Sequence, residues 1–171
     1  MFVSDLLNYM RDNYCVDNFR IYATGKSSGG GLVDELACSP GHGGDFTAFA
    51  MGAAVIYTEA DGSGCTPARS PMPILELHGT NDSTANYNGD TSHGAPLPSI
   101  RSVFRTWATR NGYGPSPVPV IDQLQSNKAY YTQYDCGAKV SVVVGYNVTG
   151  QGHDWISTQY KADNQGEHCA N

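Results

Sequence analysis

The sequence predicts an α/β fold, a largely parallel central sheet with flanking helices. Three observations predict it. Short apolar or β-branched runs alternate with amphipathic ones along the chain. The run 53–58 is apolar throughout, as a strand buried on both faces of a parallel sheet should be. A β-prone run, 19–24, passes directly into Gly25-Lys26-Ser27-Ser28-Gly29 and a glycine-rich helix start.

Taken in order, residues 2–14 read as an amphipathic helix, with Val3, Leu6, Leu7, Met10 and Tyr14 on one face. Residues 15–18 turn into the first strand, 19–24. A helix over 29–37 follows, its first turn small enough to lie close to that strand. Residues 39–45 form a glycine-rich loop, and 46–52 a short helix. The second strand, 53–58, precedes a Gly/Ser/Pro-rich loop over 59–73. A third strand spans 74–78 and ends in the loop Gly79-Thr80-Asn81-Asp82-Ser83. Residues 97–111 fit a helix, with Pro98 in its first turn and Gly112 just past its end. Pro115, Pro117 and Pro119 mark a surface connection. Two further strands, 129–134 and 139–147, lead to the loop Thr149-Gly150-Gln151-Gly152-His153. No repeat, low-complexity block or linker interrupts the 171 residues, so a single domain over 1–171 is expected.

Composition narrows the function. Ten basic residues stand against 16 acidic ones, giving a net charge of −6 and a pI near 5.1. Such a balance argues against nucleic acid and against anionic membrane surfaces as partners. No apolar run approaches a membrane span, and Met1-Phe2-Val3-Ser4-Asp5 lacks the basic and apolar segments of a signal peptide. The five cysteines have neither CxxC nor zinc-finger spacing. Scattered in loops, they fit disulfides of an oxidising compartment, or buried free thiols.

The chemistry centres on Ser27. A serine hydroxyl is a weak nucleophile and needs a base, an acid to orient the base, and donors for the oxyanion. A nucleophile elbow of the α/β-hydrolase type is Gly-x-Ser-x-Gly on a sharp strand-to-helix turn, followed along the chain by acid and then base. Ser27, Asp82 and His153 fill that order, each in a loop after a strand. The Ser28 backbone N–H, at the helix start, is the expected oxyanion donor. Asp90 competes with Asp82 but is less tied to a strand end, and Asp154 is too close to His153 to orient it. His78, ending a strand, is expected to hydrogen-bond locally, and His42, His93 and His168 to be solvated. Gly25-Lys26-Ser27 is not a phosphate loop, since Arg20 stands where that motif needs glycine. His42-Gly43-Gly44 resembles an esterase oxyanion loop but follows the nucleophile instead of preceding it, and reads as a glycine-rich surface loop.

Several stretches together resemble one family. They are Tyr14-Cys15-Val16-Asp17, Arg20-Ile21-Tyr22-Ala23-Thr24-Gly25, Ser27 with Gly29-Gly30, Leu36-Ala37-Cys38, Leu77-His78-Gly79-Thr80-Asn81-Asp82, Tyr87-Asn88-Gly89 and Gly152-His153-Asp154-Trp155. The chain resembles fungal-type feruloyl esterases, which are related to acetylxylan esterases and polyhydroxybutyrate depolymerases. That resemblance implies an α/β-hydrolase fold, with Ser27 as nucleophile, Asp82 as acid and His153 as base. It implies an extracellular enzyme without cofactor or metal that releases ferulic acid from arabinoxylan, a feruloylated polysaccharide, or from a small phenolic ester. It also implies a Cys38–Cys65 disulfide. Trp155 is a candidate substrate-binding residue.

The chain departs from the family pattern at Lys26 and Ser28 around the nucleophile, at Tyr113 where a cysteine usually stands, and at Ile156 where proline does. Relative to the family, strands before the first helix and a helix beyond Asn171 are expected to be missing. Cys15 would then lack its partner, and an open sheet edge would allow self-association. Two further readings stay open: an acetylxylan or polyhydroxyalkanoate esterase, and an inactive remnant that binds polysaccharide or a partner through Tyr57, Tyr87 and Trp155.

Overall fold

The computed structural model describes residues 2–57, 64–92, 94–114, 116–136 and 139–157. Its element order is α1 (Phe2–Asn13), β1 (Tyr22–Lys26), α2 (Ser28–Cys38), β2 (Ala48–Gly52), β3 (Ile74–Gly79), α3 (Ile100–Arg110), β4 (Val120–Leu124), β5 (Ala129–Cys136) and β6 (Lys139–Val148). The six strands form one sheet in the order β1-β2-β3-β6-β5-β4. The expected parallel sheet is found in β1, β2, β3 and β6. β5 and β4 extend it antiparallel, so the sheet is mixed. The parallel register brings the carboxyl ends of β1, β3 and β6 to one edge, where ligands bind in open α/β sheets.

Two expectations are overturned around the second strand. Residues 46–52 do not form a helix, because Ala48–Gly52 is β2, paired on both sides with β1 and β3. A short apolar run cannot be told from a helix by periodicity alone, and here the ladder decides it. Residues 53–57 form no strand. Ala53 has φ 45°, which turns the chain out of the ladder. Residues 53–56 are apolar because they are buried, and their N–H groups find other acceptors: Ala53 N–H donates to Leu77 O (2.8 Å) and Val55 N–H to Ser27 O (3.1 Å).

Other differences are smaller. The first strand runs Tyr22–Lys26, starting three residues later and ending two later than the pattern predicts. Helix α3 starts after Pro98, capped by Ser99, whose Oγ accepts from Ser102 N–H at 3.2 Å. β4 was not expected. All its residues are exposed, and its Val-Ile-Asp-Gln-Leu run gives no clean alternation. The loop 39–45 contains a short 3-10 turn, Gly43–Asp45, with Gly43 buried instead of lying on the surface.

One core joins α2, α3 and the sheet through Val33, Leu36, Phe49, Ile74, Phe104, Trp107 and Val143. α3 lies close on β6 because residue 145 is glycine: a Cβ there would stand 2.2 Å from the Phe104 ring. α1 carries no buried residue, though Val3 and Leu7 touch this core. Among the described residues β1 is an edge strand, with Phe19 and Tyr22 exposed beside it. Cys38 and Cys65 form a disulfide. Cys15 is an exposed free thiol, while the Cys136 side chain and Cys169 lie outside what is described. No described helix is long and apolar enough to cross a membrane.

Candidate active site

Ser27 stands between β1 and α2 with φ 57° and ψ −124°, a backbone that non-glycine residues rarely adopt. The turn is possible because glycine stands at positions 25 and 30, where the backbones approach closely. A Cβ on Gly25 would meet Gly29 O at 2.3 Å, and one on Gly30 would meet Ala54 Cβ at 2.6 Å. Ser27 N–H is held by Gly52 O at 3.0 Å, and Ser27 O accepts from Val55 N–H. Ser28 opens α2, whose first N–H groups have no intrahelical acceptor.

Asp82 follows β3 and is buried. One carboxylate oxygen accepts from the Thr84 and Ala85 N–H groups at 2.8 and 2.7 Å, a side-chain turn that fixes the carboxylate plane. The other accepts from His153 Nδ1 at 2.8 Å. Burial pushes the Asp82 carboxyl up, but hydrogen bonds from His78, His153, Ala85 and Thr84 outweigh it and bring its pKa down to about 2. Asp82 is therefore a carboxylate, His153 Nδ1 carries the proton, and Nε2 is free to accept. Nε2 lies 2.9 Å from Ser27 Oγ.

The loop after β6 is tied to the loop after β3. Asn81 N–H donates to Gln151 O (2.9 Å), Gly150 N–H to Thr80 Oγ1 (2.9 Å) and Thr80 N–H to Val148 O (2.9 Å). Gln151 and Asp154 hydrogen-bond to each other, which directs Asp154 away from His153. Asp90 is engaged with Ser92 and pairs with Leu97 across an isolated bridge, not with His153. The sequence candidates Ser27, Asp82 and His153 are thus brought into one hydrogen-bonded chain, able to take a proton from the serine hydroxyl as it attacks. Trp155 packs its ring over Gly52, about 3.6 Å from where a Cβ would stand, next to the carbonyl that anchors Ser27.

Some polar residues behave differently from expectation. His42 is half-buried and hydrogen-bonds Ser4 Oγ at 3.0 Å, so it is not simply solvated. His93 and His168 lie outside the described residues. Tyr87 is buried with its ring 5.9 Å from that of His78, which leaves no open face for a sugar. His78 does bond locally, but to two groups of consequence: its Nδ1 meets Glu76 Oε1 at 2.7 Å and its Nε2 meets Ala85 O at 2.7 Å. Glu76 was missed. Strand alternation was the available signal, since it puts Glu76 and His78 on one face of β3. Among the described residues no group of His, Cys, Asp and Glu could hold a metal.

No family model matches the chain. Curated relatives are feruloyl esterases. It is 32% identical to feruloyl esterase B of Piromyces equi over 89% of this chain and 28% of that protein. It is 27% identical to feruloyl esterase C of Emericella nidulans over 68% of this chain and 37% of that protein. The chain therefore spans about a third of the length of these relatives. Among solved structures, an acetyl xylan esterase from Aspergillus awamori shares the fold, with a TM-score of 0.59 at 18% identity over 89% of this chain and 61% of that one. By sequence, then, the chain is related to feruloyl esterases, and by fold to an acetyl xylan esterase.

Proposed function

We propose that this chain carries the nucleophile, acid and base of a carboxylic ester hydrolase that releases hydroxycinnamic acids, ferulic acid first among them, from arabinoxylan or small phenolic esters. The observation that supports it best is the unbroken chain Ser27 Oγ, His153, Asp82, with links of 2.9 and 2.8 Å. Ser27 attacks the ester carbonyl while His153 Nε2 takes its proton. Asp82 holds the imidazole and stabilises its positive charge. The Ser28 N–H, at the positive end of α2, donates to the oxyanion, a contribution typically of a hundredfold or more in rate. His153 then protonates the departing sugar hydroxyl, and water, deprotonated by the same ring, hydrolyses the acyl-enzyme. Trp155, partly exposed beside the elbow, offers a face for the aromatic acid.

The feruloyl preference rests on the names of the relatives, and extracellular action on the Cys38–Cys65 disulfide, which persists in oxidising compartments. Self-association through the β1 edge belongs to the same proposal, and light scattering would detect it. The function itself is tested by comparing the parent with Ser27→Ala on methyl ferulate and on acetylated xylan. The parent should release ferulate, and the variant should lose roughly 10⁴-fold or more in kcat. Equal rates in the two proteins would remove Ser27 from the chemistry. Acetate release much faster than ferulate release would reassign the substrate.

A further inference from the structure

Behind Asp82 lies a second pairing of carboxylate and imidazole that the proposed reaction does not consume. His78 and Glu76 are both completely buried. Both nitrogens of His78 face oxygens: Nδ1 meets Glu76 Oε1 at 2.7 Å, and Nε2 meets Ala85 O at 2.7 Å and Asp82 Oδ2 at 3.3 Å. A carbonyl oxygen only accepts, so Nε2 must carry a hydrogen. Glu76 Oε1 also accepts from Ala54 N–H at 3.1 Å. With Glu76 ionised, Oε1 accepts from both Ala54 N–H and Nδ1–H, and the ring, carrying hydrogen on both nitrogens, is an imidazolium.

We infer that Glu76 and His78 form a buried carboxylate–imidazolium pair that positions Asp82 against His153 and tethers this acid to the turn beneath Ser27. The inference rests on the proposed esterase reading for its catalytic consequence, but not for its charge state. His78 is thus a positioning residue, acting through Asp82 without touching the reacting atoms. The tether is continuous. Ala54 N–H is held by Glu76, its neighbour Val55 N–H holds Ser27 O, Glu76 holds His78, and His78 reaches both Asp82 and the Ala85 carbonyl that closes the Asp82 turn.

Burial opposes charge on His78, yet the hydrogen bonds to Asp82 and Glu76 overcome it and raise its pKa to about 9. Burial likewise raises the Glu76 carboxyl against the pull of His78. The pair is costly in another way: Glu76 Oε2 is buried with no hydrogen-bond partner among the described residues. Replacing a buried ion pair by apolar residues is often neutral or stabilising, so such a pair is weak evidence of a stabilising role. The titratable groups facing the pair are Asp82 in the loop after β3, His153 beyond it, Asp34 on α2 acting on Glu76 through space, and the Tyr87 ring in the loop before α3.

The positive ring on one side of Asp82 offsets part of the field that Asp82 exerts on His153. With that charge removed, the Asp82 field at the reacting groups is no longer offset, and the acid limb of the reaction moves to higher pH. The experiment combines imidazole nitrogen NMR on the intact parent chain with pH–rate profiles of the parent and Glu76→Gln. At pH 7 the parent should show His78 with hydrogen on both ring nitrogens. Glu76→Gln, which takes the anion from His78 without removing the Ala54 acceptor, should move the acid limb of kcat/KM upward by roughly half to one pH unit. Both melting temperature and circular dichroism are read alongside. A neutral His78 ring at pH 7 overturns the inference whether or not any variant folds and whether or not the chain is active. An unmoved acid limb in a folded, active Glu76→Gln also overturns it. A parent without activity on any ester would sink the esterase reading instead, and the NMR result would still decide the charge state.

Discussion

Asp34 and Asp82 are both buried aspartates, 8% and 3% exposed, yet they hold their protons at opposite ends of the carboxylate range. Asp34, on α2, has burial as its dominant influence, set only against the Trp107 Nε1–H at 2.8 Å and the more distant charge of Arg110, and its pKa is pushed up to about 6. Asp82 is buried too, but four donors converge on it, and its pKa falls to about 2. Burial alone therefore does not say what a carboxyl will do; the number and charge of the donors facing it do. Asp34 joins two helices, whereas Asp82, held ionised, accepts a hydrogen bond from the His153 ring.

Substitution by asparagine breaks this comparison most sharply. Asp82→Asn keeps the shape but loses the charge and favours the wrong His153 tautomer. Its kcat on methyl ferulate should fall by about 10⁴-fold with the fold retained. Asp34→Asn in the same assay should stay within about twofold of the parent.

Stability should respond in the reverse sense. The folded-state pKa of Asp34 lies above its ordinary 3.8, so the folded state binds the extra proton between about pH 4 and 6. Stability from this group is full below pH 4 and falls as pH rises to 6, by about 3 kcal/mol. Unfolding free energies from urea titration should therefore place Asp34→Asn above the parent at pH 7 by up to about 3 kcal/mol, with the difference closing at pH 4. Asp82 has the opposite sign. Its folded-state pKa is depressed to about 2, so its contribution is present above pH 4 and is lost as pH falls toward 2. An acid titration of Asp82→Asn should lack that loss. The smallest effect is on the partner indole: Trp107→Phe should cost about 1–2 kcal/mol at pH 7, and less at pH 4 where Asp34 is neutral.

The two regions also differ in how far the sequence announces them. Ser27 was legible because its strained turn admits almost nothing but glycine at positions 25 and 30, and such a steric demand is written locally. Asp82 and His153 were legible through order alone, each in the loop that closes a strand. The Asp34–Trp107 bond joins residues 73 positions apart, and helical spacing on α2 and α3 names only their buried faces. β2 and the segment after it were misread because residues 48–57 run without a polar side chain apart from the Tyr57 hydroxyl. Only the ladders to β1 and β3, and the positive φ of Ala53, divide strand from turn. β4 was invisible because an exposed antiparallel edge imposes no apolar alternation.

The central claim, that Ser27 is a nucleophile activated by His153 and Asp82, is tested most directly by trapping it. The folded chain should be incubated with a fluorophosphonate, digested, and analysed by mass spectrometry. The account predicts a single adduct on the Ser27 peptide, formed rapidly in the parent and slowed by orders of magnitude in Asp82→Asn. Labelling at another serine, or equal labelling in the folded and urea-unfolded chain, would contradict it.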